Sequence, residues 1–304
     1  MMDPAQEENG DGDISTIVDQ YLRAIGIVSS RGCSLSPSFE NLCELQRRHL
    51  DTFAFSSVDP RLGNNKTLLS LDTKSLFETI VLKKRGGYCF QQNKLFYDVL
   101  QHLGYTVRLV LGRVTNNREK NFRPGLTHRF TVVSFPQQRS FAVDVSFGSK
   151  CPPAPVPLEQ GREMIDKDYS RKFRVYHSSN DDPDPMHMQV FLPMDGIWFT
   201  TFKFNLAMTY SEADSEVGHF YSHQHPAAIF VNHLYVSKRR TEDILQLHNL
   251  SLQIINPYDG KVVETNDVTS STELQMILRD LFDICVSEEE SLQLFTKSKK
   301  NNNK

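Results

Sequence analysis

The chain has 304 residues, with 34 Lys and Arg against 37 Asp and Glu, for a net charge of −3 with His neutral. Apolar residues make up 39% and charged residues 23%, ordinary for a globular protein, and the length calls for two or three joined subdomains. The near-neutral charge argues against nucleic-acid binding, which needs clustered Lys and Arg, and no run of ~18 apolar residues offers a membrane helix. The first residues, Met1 to Glu8, are acidic and lack the apolar stretch of a signal peptide. Five cysteines (Cys33, Cys43, Cys89, Cys151 and Cys285) are widely spaced and form no C-x-x-C pair. Neither a disulfide framework nor a zinc knuckle is expected from them. A cytoplasmic protein with free thiols is the resulting expectation.

Residues 1 to about 12 are polar and are expected to be disordered, as is the Lys-rich tail from Lys297 to Lys304. Ile14, Ile17, Val18, Tyr21, Leu22 and Ile25 recur at helical spacing. Ser36 and Pro37 read as the cap and first residue of a second helix through Phe39, Leu42, Leu45 and His49. A third helix carries Leu76, Phe77, Ile80 and Val81 and is expected to stop at Arg85-Gly86-Gly87. A fourth begins near Cys89 and runs to Leu103.

From Thr106 the period changes to two. Val107, Leu109 and Leu111 form one strand, His128 to Phe135 a second, and Phe141, Val143, Val145 and Phe147 a third. Further strands are predicted near 171–177, 186–192, 196–204 and 229–237. The Pro-rich piece from Cys151 to Pro157 reads as a loop. Asp259-Gly260 reads as a hairpin turn, and Ser270 to Glu273 as a capping box opening a last helix through Leu274, Leu278, Phe282 and Cys285. The order is helices, then antiparallel strands, then a mixed end, which is an α+β chain.

Cys89 stands out among the thiols because it follows two glycines and opens a helix, where unpaired N–H groups favour a thiolate. A nucleophilic Cys needs a base, and the base needs an orienting group. His128 lies at a strand mouth. Asp144 interrupts an apolar strand, and a buried carboxylate needs a partner. The expected arrangement has Asp144 accepting the Nδ1–H of His128, with His128 serving Cys89. The structural alternatives are a buried Cys, a satisfied His and a half-exposed strand Asp.

The run from Ser70 to Val81, then Arg85-Gly86-Gly87-Tyr88-Cys89-Phe90-Gln91-Gln92-Asn93, resembles the arylamine N-acetyltransferases. Gly104 to Val107, Gly112 to Val114, Thr127-His128 and Val143 to Gly148 continue the likeness. The resemblance covers roughly residues 15 to 290. It implies a helical bundle over 1–105 carrying Cys89, a β-barrel over 106–205 carrying His128 and Asp144, and an α/β lid over 206–304. The triad arrangement would be like that of cysteine proteases. The resemblance further implies acetyl-CoA as acyl donor, an arylamine or hydrazine as acceptor, and no metal. It places Pro124, Gly125 and Tyr221 near CoA, and Thr127 and Phe147 near the acceptor.

Two stretches depart from the family pattern. Ala54-Phe55-Ser56-Ser57 lacks a carboxylate, and His225-Pro226-Ala227-Ala228 lacks hydroxyls that would help bind CoA. Ser149 is small and hints at a roomy acceptor pocket. His219, His223, His225 and His233 have spacings that could bind zinc, but a solvent- or cofactor-facing polar segment is the expectation. Lys83-Lys84-Arg85 and Lys238-Arg239-Arg240 are candidate contacts for CoA phosphates, but a solvated face is the expectation for such short basic runs. The rival functions are a cysteine hydrolase or transglutaminase-like enzyme with the same triad, and a catalytically dead binding module.

Overall fold

The computed structural model describes residues 11–27, 35–63, 68–118, 122–136, 139–179 and 181–302. Cys33 and the stretch before Asp11 lie outside them.

The first part is helical: α1 (Asp11–Ala24), α2 (Phe39–Thr52), α3 (Val58–Leu62), α4 (Thr73–Phe77) and α5 (Cys89–His102), with the short β1 (Phe55–Ser56) before α3. Tyr21, Leu42, Leu45, Phe96 and Leu100 are fully buried where α1, α2 and α5 meet, as their helical spacing requires. The cap of α2 is Ser38, two residues later than Ser36: its Oγ accepts the Asn41 N–H at 3.1 Å.

The third helix departs further from expectation. After α4 the chain widens into a π turn over Glu78–Leu82. It ends before the glycines, with Lys84 at φ 51°. Gly86 has a different role. At φ +64° it lies against β1, and a Cβ there would fall 2.7 Å from the Ala54 carbonyl.

The second part is an antiparallel sheet of β2 (Thr106–Val114), β3 (His128–Phe135), β4 (Arg139–Val143), β5 (Val156–Pro157), β6 (Glu163–Ile165), β7 (Lys172–His177), β8 (Met186–Leu192) and β9 (Ile197–Phe204). The order β5-β4-β3-β2-β9-β8-β7-β6 brings the edge strands beside each other, so the sheet nearly closes into a barrel. Phe130, Phe173, Met188, Phe202 and Phe204 fill its interior. The opposite faces of β2, β3 and β4 pack on the helical bundle, which is why β3 is buried on both sides at its start.

The third part has α6 (Glu212–Gln224), α7 (Ile229–Asn232), β10 (Tyr235–Arg239), β11 (Ile244–His248), β12 (Ser251–Ile255), β13 (Val262–Asp267), α8 (Ser271–Phe282) and α9 (Glu288–Asn302). Its sheet runs β1-β10-β11-β12-β13, so Phe55 and Ser56 lend an edge strand to it. The hairpin at Asp259-Gly260 is present between β12 and β13, with Gly260 at φ +75°.

Four other expectations are corrected. The strand read through Phe147 ends at Val143, because Asp144 Oδ1 accepts the Ser146 N–H at 2.9 Å and turns the chain. The strand read over 229–237 is instead α7 followed by β10, since a short apolar run such as Ile229-Phe230-Val231 does not distinguish helix from strand. Cys285 is exposed and lies past the end of α8, which Asp283 terminates in the left-handed region at φ 57°. The tail read as loose continues in α9 to Asn302, and Lys297 Nζ donates to the Arg61 carbonyl at 2.9 Å.

Candidate active site

Three chain segments converge where the bundle meets the barrel: the start of α5, the start of β3 and the turn after β4. Cys89 is the first residue of α5. Tyr88 caps it in extended conformation, and the Tyr88 carbonyl accepts the N–H groups of Gln91 and Gln92 at 2.9 and 3.0 Å. Behind this entry, the Gly87 carbonyl accepts the Ser56 N–H at 2.9 Å and the Gln92 side chain at 2.6 Å. The Cys89 thiol is buried and donates toward the Thr127 carbonyl at 3.6 Å.

His128 and Asp144 are 1% and 0% exposed. His128 Nε2–H donates to Asp144 Oδ2 at 2.7 Å. The sequence expectation was the Nδ1–H, and the structure corrects it. With Nε2 held by the carboxylate, Nδ1 is the nitrogen available to the Cys89 thiol. Burial pushes His128 toward its neutral form, but the Asp144 charge and hydrogen bond outweigh it. With a smaller contribution from Cys89, they hold His128 well above its usual value.

Strand pairing alone does not align this pair. The ladder sets Thr131 opposite Val143, so Asp144 would face Phe130. The turn after β4 carries its carboxylate back to His128. That turn is tied down by Gln46, whose Nε2 donates to the carbonyls of Asp144 and Pro152 at 3.0 and 2.8 Å. The Cys151 thiol also donates to the Asp144 carbonyl, at 3.2 Å.

Asn93 is the site residue that sequence reasoning left without a role. It lies one turn after Cys89 on the same face of α5 and is fully buried. Its Nδ2 donates to Asp144 Oδ1 at 2.9 Å and to the Arg129 carbonyl at 2.7 Å. Its Oδ1 accepts the Val145 N–H at 3.0 Å. A polar residue at the four-residue spacing from a candidate nucleophile was the available signal.

Cys89 and His128 open into a cleft of about 530 Å³. Pro124, Gly125, Thr127, Phe147 and Tyr221 all line it. Phe147 meets the His128 ring edge-on at 4.9 Å. Ser149 also lines the cleft, and its Oγ donates to Gln246 Oε1 at 2.9 Å. Ala227 and Ala228 form part of the wall. Thr115 Oγ1 and Ser146 Oγ, from two other cleft residues, are buried without a protein partner. Such atoms suit a polar ligand or bound water.

The basic runs are elsewhere. Arg85 pairs with Asp59 at 2.7 Å and Glu290 at 2.8 Å, and Lys84 pairs with Asp283 at 3.1 Å. Arg239 pairs with Asp166 and Asp168, and Arg240 with Asp243. None of these paired cations is among the residues lining the cleft. The four histidines are engaged separately. His219 bonds Tyr88 and Leu69, His223 bonds the His219 carbonyl, His225 accepts the Ala227 N–H, and His233 meets Asn249. Among the described residues, no group of three His, Cys, Asp or Glu side chains is arranged to hold a metal ion.

A family model described as N-acetyltransferase matches residues 38–291. An arylamine N-acetyltransferase of Mycobacterium bovis is 32% identical over 209 residues, covering 68% of this chain and 70% of that protein. One of Escherichia coli is 26% identical over 251 residues, covering 83% and 84%. The structure of Mycobacterium marinum arylamine N-acetyltransferase in complex with CoA superposes with a TM-score of 0.79 at 26% identity, covering 93% of this chain and 98% of that one. The match over most of the chain, these relatives and the structural superposition show that this protein belongs to the arylamine N-acetyltransferase family.

Proposed function

We propose that this acetyltransferase moves an acetyl group from acetyl-CoA to an arylamine or hydrazine in two steps through an acetyl-Cys89 intermediate. The observation that supports this most directly is the buried chain Cys89, His128, Asp144 at the floor of an open cleft. In the first step Cys89, as a thiolate beside the His128 imidazolium, attacks the thioester carbonyl carbon. The carbon–sulfur bond to CoA breaks, and CoA leaves as a thiol with the proton from His128. The Cys89 backbone N–H, at the helix start where donors have no intrahelical partner, would stabilise the oxyanion. In the second step the amine attacks acetyl-Cys89, His128 takes the amine proton, and the Cys89 thiolate departs. Asp144 holds the His128 ring throughout and balances its positive charge. Aromatic amines suit this route because they are weakly basic and therefore neutral and nucleophilic at pH 7.

The cleft has room for the assigned contacts. Pro124, Gly125 and Tyr221 are proposed to meet CoA, and Thr127 and Phe147 the acceptor. The small Ser149 leaves space at the acceptor wall. The test is intact-protein mass spectrometry after acetyl-CoA without acceptor. Wild type is expected to gain about 42 Da, and Cys89→Ala to gain nothing. An adduct that persists in Cys89→Ala removes Cys89 as the nucleophile. CoA release that proceeds equally fast without added arylamine would favour hydrolysis over transfer.

A further inference from the structure

Helix α6 buries an unusual face. Ser215, Gly218, His219, Ser222 and His223 point inward, while Val217, Phe220 and Tyr221 are exposed. The approach is close: a Cβ on Gly218 would lie 2.4 Å from the Leu126 carbonyl and 2.7 Å from the Phe90 ring. The helix therefore presses on both the loop before Thr127 and the start of α5.

His219 is the polar link in that contact. Tyr88, fully buried, immediately precedes Cys89, and its hydroxyl has His219 as its side-chain partner. The rings stack at 5.7 Å with 12° between their planes. The backbone of Leu69 sets the tautomers of two histidines. The Leu69 carbonyl accepts from His219 Nε2 at 2.8 Å, so His219 Nδ1 is the acceptor for the Tyr88 hydroxyl. His223 Nδ1–H donates to the His219 carbonyl at 2.7 Å, which leaves its Nε2 to accept the Leu69 N–H at 3.3 Å. Burial lowers the basicity of both rings, in keeping with these neutral forms.

We infer that His219 is a positioning residue for the nucleophile, acting through Tyr88 to fix the first turn of α5. The inference rests on Cys89 being the nucleophile. The other side of that turn is already held by the backbone hydrogen bond from the Ser56 N–H of β1 to the Gly87 carbonyl. The Tyr88 ring is the other anchor of the turn, packed against Phe90, Phe230 and His219 with its hydroxyl bonded to the last of these, and a small displacement of a nucleophile is costly to rate. Because α6 also carries Tyr221 and Ser222 into the cleft, His219 joins the cleft wall directly to the residue before Cys89.

Two amide substitutions separate positioning from mere packing. His219→Asn places an amide oxygen where Nδ1 accepts, keeping the Tyr88 contact and losing the Leu69 one. His219→Gln places its amide where Nε2 donates, keeping Leu69 and losing Tyr88. Both disturb the core comparably, and melting temperatures check that they do. Acetylation of an arylamine and peptide-resolved alkylation of Cys89 by iodoacetamide are then measured on each variant and on Tyr88→Phe. Expected are losses of about 10-fold or more in kcat and in alkylation rate for His219→Gln and Tyr88→Phe, with little change in acceptor KM. His219→Asn is expected within about 3-fold of wild type, and the Tyr88→Phe/His219→Gln double variant no worse than either single one. Equal impairment of the Asn and Gln variants, unimpaired Tyr88→Phe, or multiplying losses in the double variant would overturn the inference. Activity surviving in Cys89→Ala would instead overturn the nucleophile on which it rests.

Discussion

His128 donates to Asp144 through Nε2 at 2.7 Å, leaving Nδ1 toward Cys89. The carboxylate thus sits on the far side of the ring from the thiol. Asp144→Asn keeps the shape but presents neither the charge nor a certain acceptor to Nε2–H. It is expected to lower kcat by ~10³–10⁴-fold, by analogy with the corresponding change in serine protease triads. Steady-state acetylation, with circular dichroism as a fold control, checks this. Near-normal turnover would remove Asp144 from the relay.

Asn93 contacts the same carboxylate on its other oxygen, at 2.9 Å. Asn93→Ala would leave the Arg129 carbonyl, one lone pair of Asp144 and the Val145 N–H short of a partner inside the core. Each unsatisfied buried group costs ~1–3 kcal/mol, partly recovered if water enters the gap. A loss of ~2–4 kcal/mol in urea unfolding is expected, together with a fall in kcat. A variant of full stability and reduced kcat would assign Asn93 to orientation alone.

Arg85 lies two residues before Gly87 and bridges α3 to α9 through Asp59 and Glu290. If its role is this bridge, Arg85→Met should destabilise the fold by ~1–3 kcal/mol, the upper part of the range being discounted because Glu290 is partly exposed. The KM for acetyl-CoA should stay within about 2-fold of wild type. A large rise in that KM at unchanged stability would make Arg85 a cofactor contact instead.

His49 gives a pH dependence with a definite sign. It is fully buried between the Tyr21 hydroxyl at 2.7 Å and Gln92 Oε1 at 2.8 Å. Burial lowers its pKa to about 4, against the weaker opposing effect of the Gln92 bond. The unfolded chain binds this proton near pH 6.5 and the folded one only near 4. The stability this neutral ring contributes is therefore full above ~6.5 and is lost as pH falls toward 4, by an amount on the order of 3 kcal/mol. His128 acts oppositely: its raised value supports folding below ~6.5 and that support fades on the alkaline side. Urea midpoints at pH 7.5 and 4.5 should differ less in His49→Gln than in wild type. An equal difference in both would place the acid sensitivity elsewhere.

Much of the fold is legible in the chain because period and burial coincide. The strand read from His128 to Phe135 and the strand near 186–192 have those bounds in the structure, since Phe130 and Val132, and Met186, Met188 and Val190, set apolar residues at alternate buried positions even though His128, Arg129, Thr131, His187 and Gln189 are buried beside them. Helix α6 was missed for the converse reason. Its inward face is Ser, Gly and His, and its apolar residues point to solvent, so no apolar stripe marks it. Helix α9 hid in the same way: Ser291 and Ser298 are buried with Leu294 on one face of an otherwise charged segment.

The sequence by itself determined the residue types of the site and their order: a Cys shortly after two glycines, a His at a strand mouth and an Asp within an apolar run. It also determined the family likeness, because those motifs are local. It left open how the three meet. The strand register points Asp144 at Phe130, and only the turn after β4, held by Gln46 and Asn93 from distant positions and by nearby Cys151, brings the carboxylate to His128 Nε2. Which ring nitrogen faces the thiol, which cations are spent in ion pairs, and which helix backs the nucleophile depend on contacts between residues far apart in the chain. Such contacts leave no periodic trace in the sequence, and packing alone decides them.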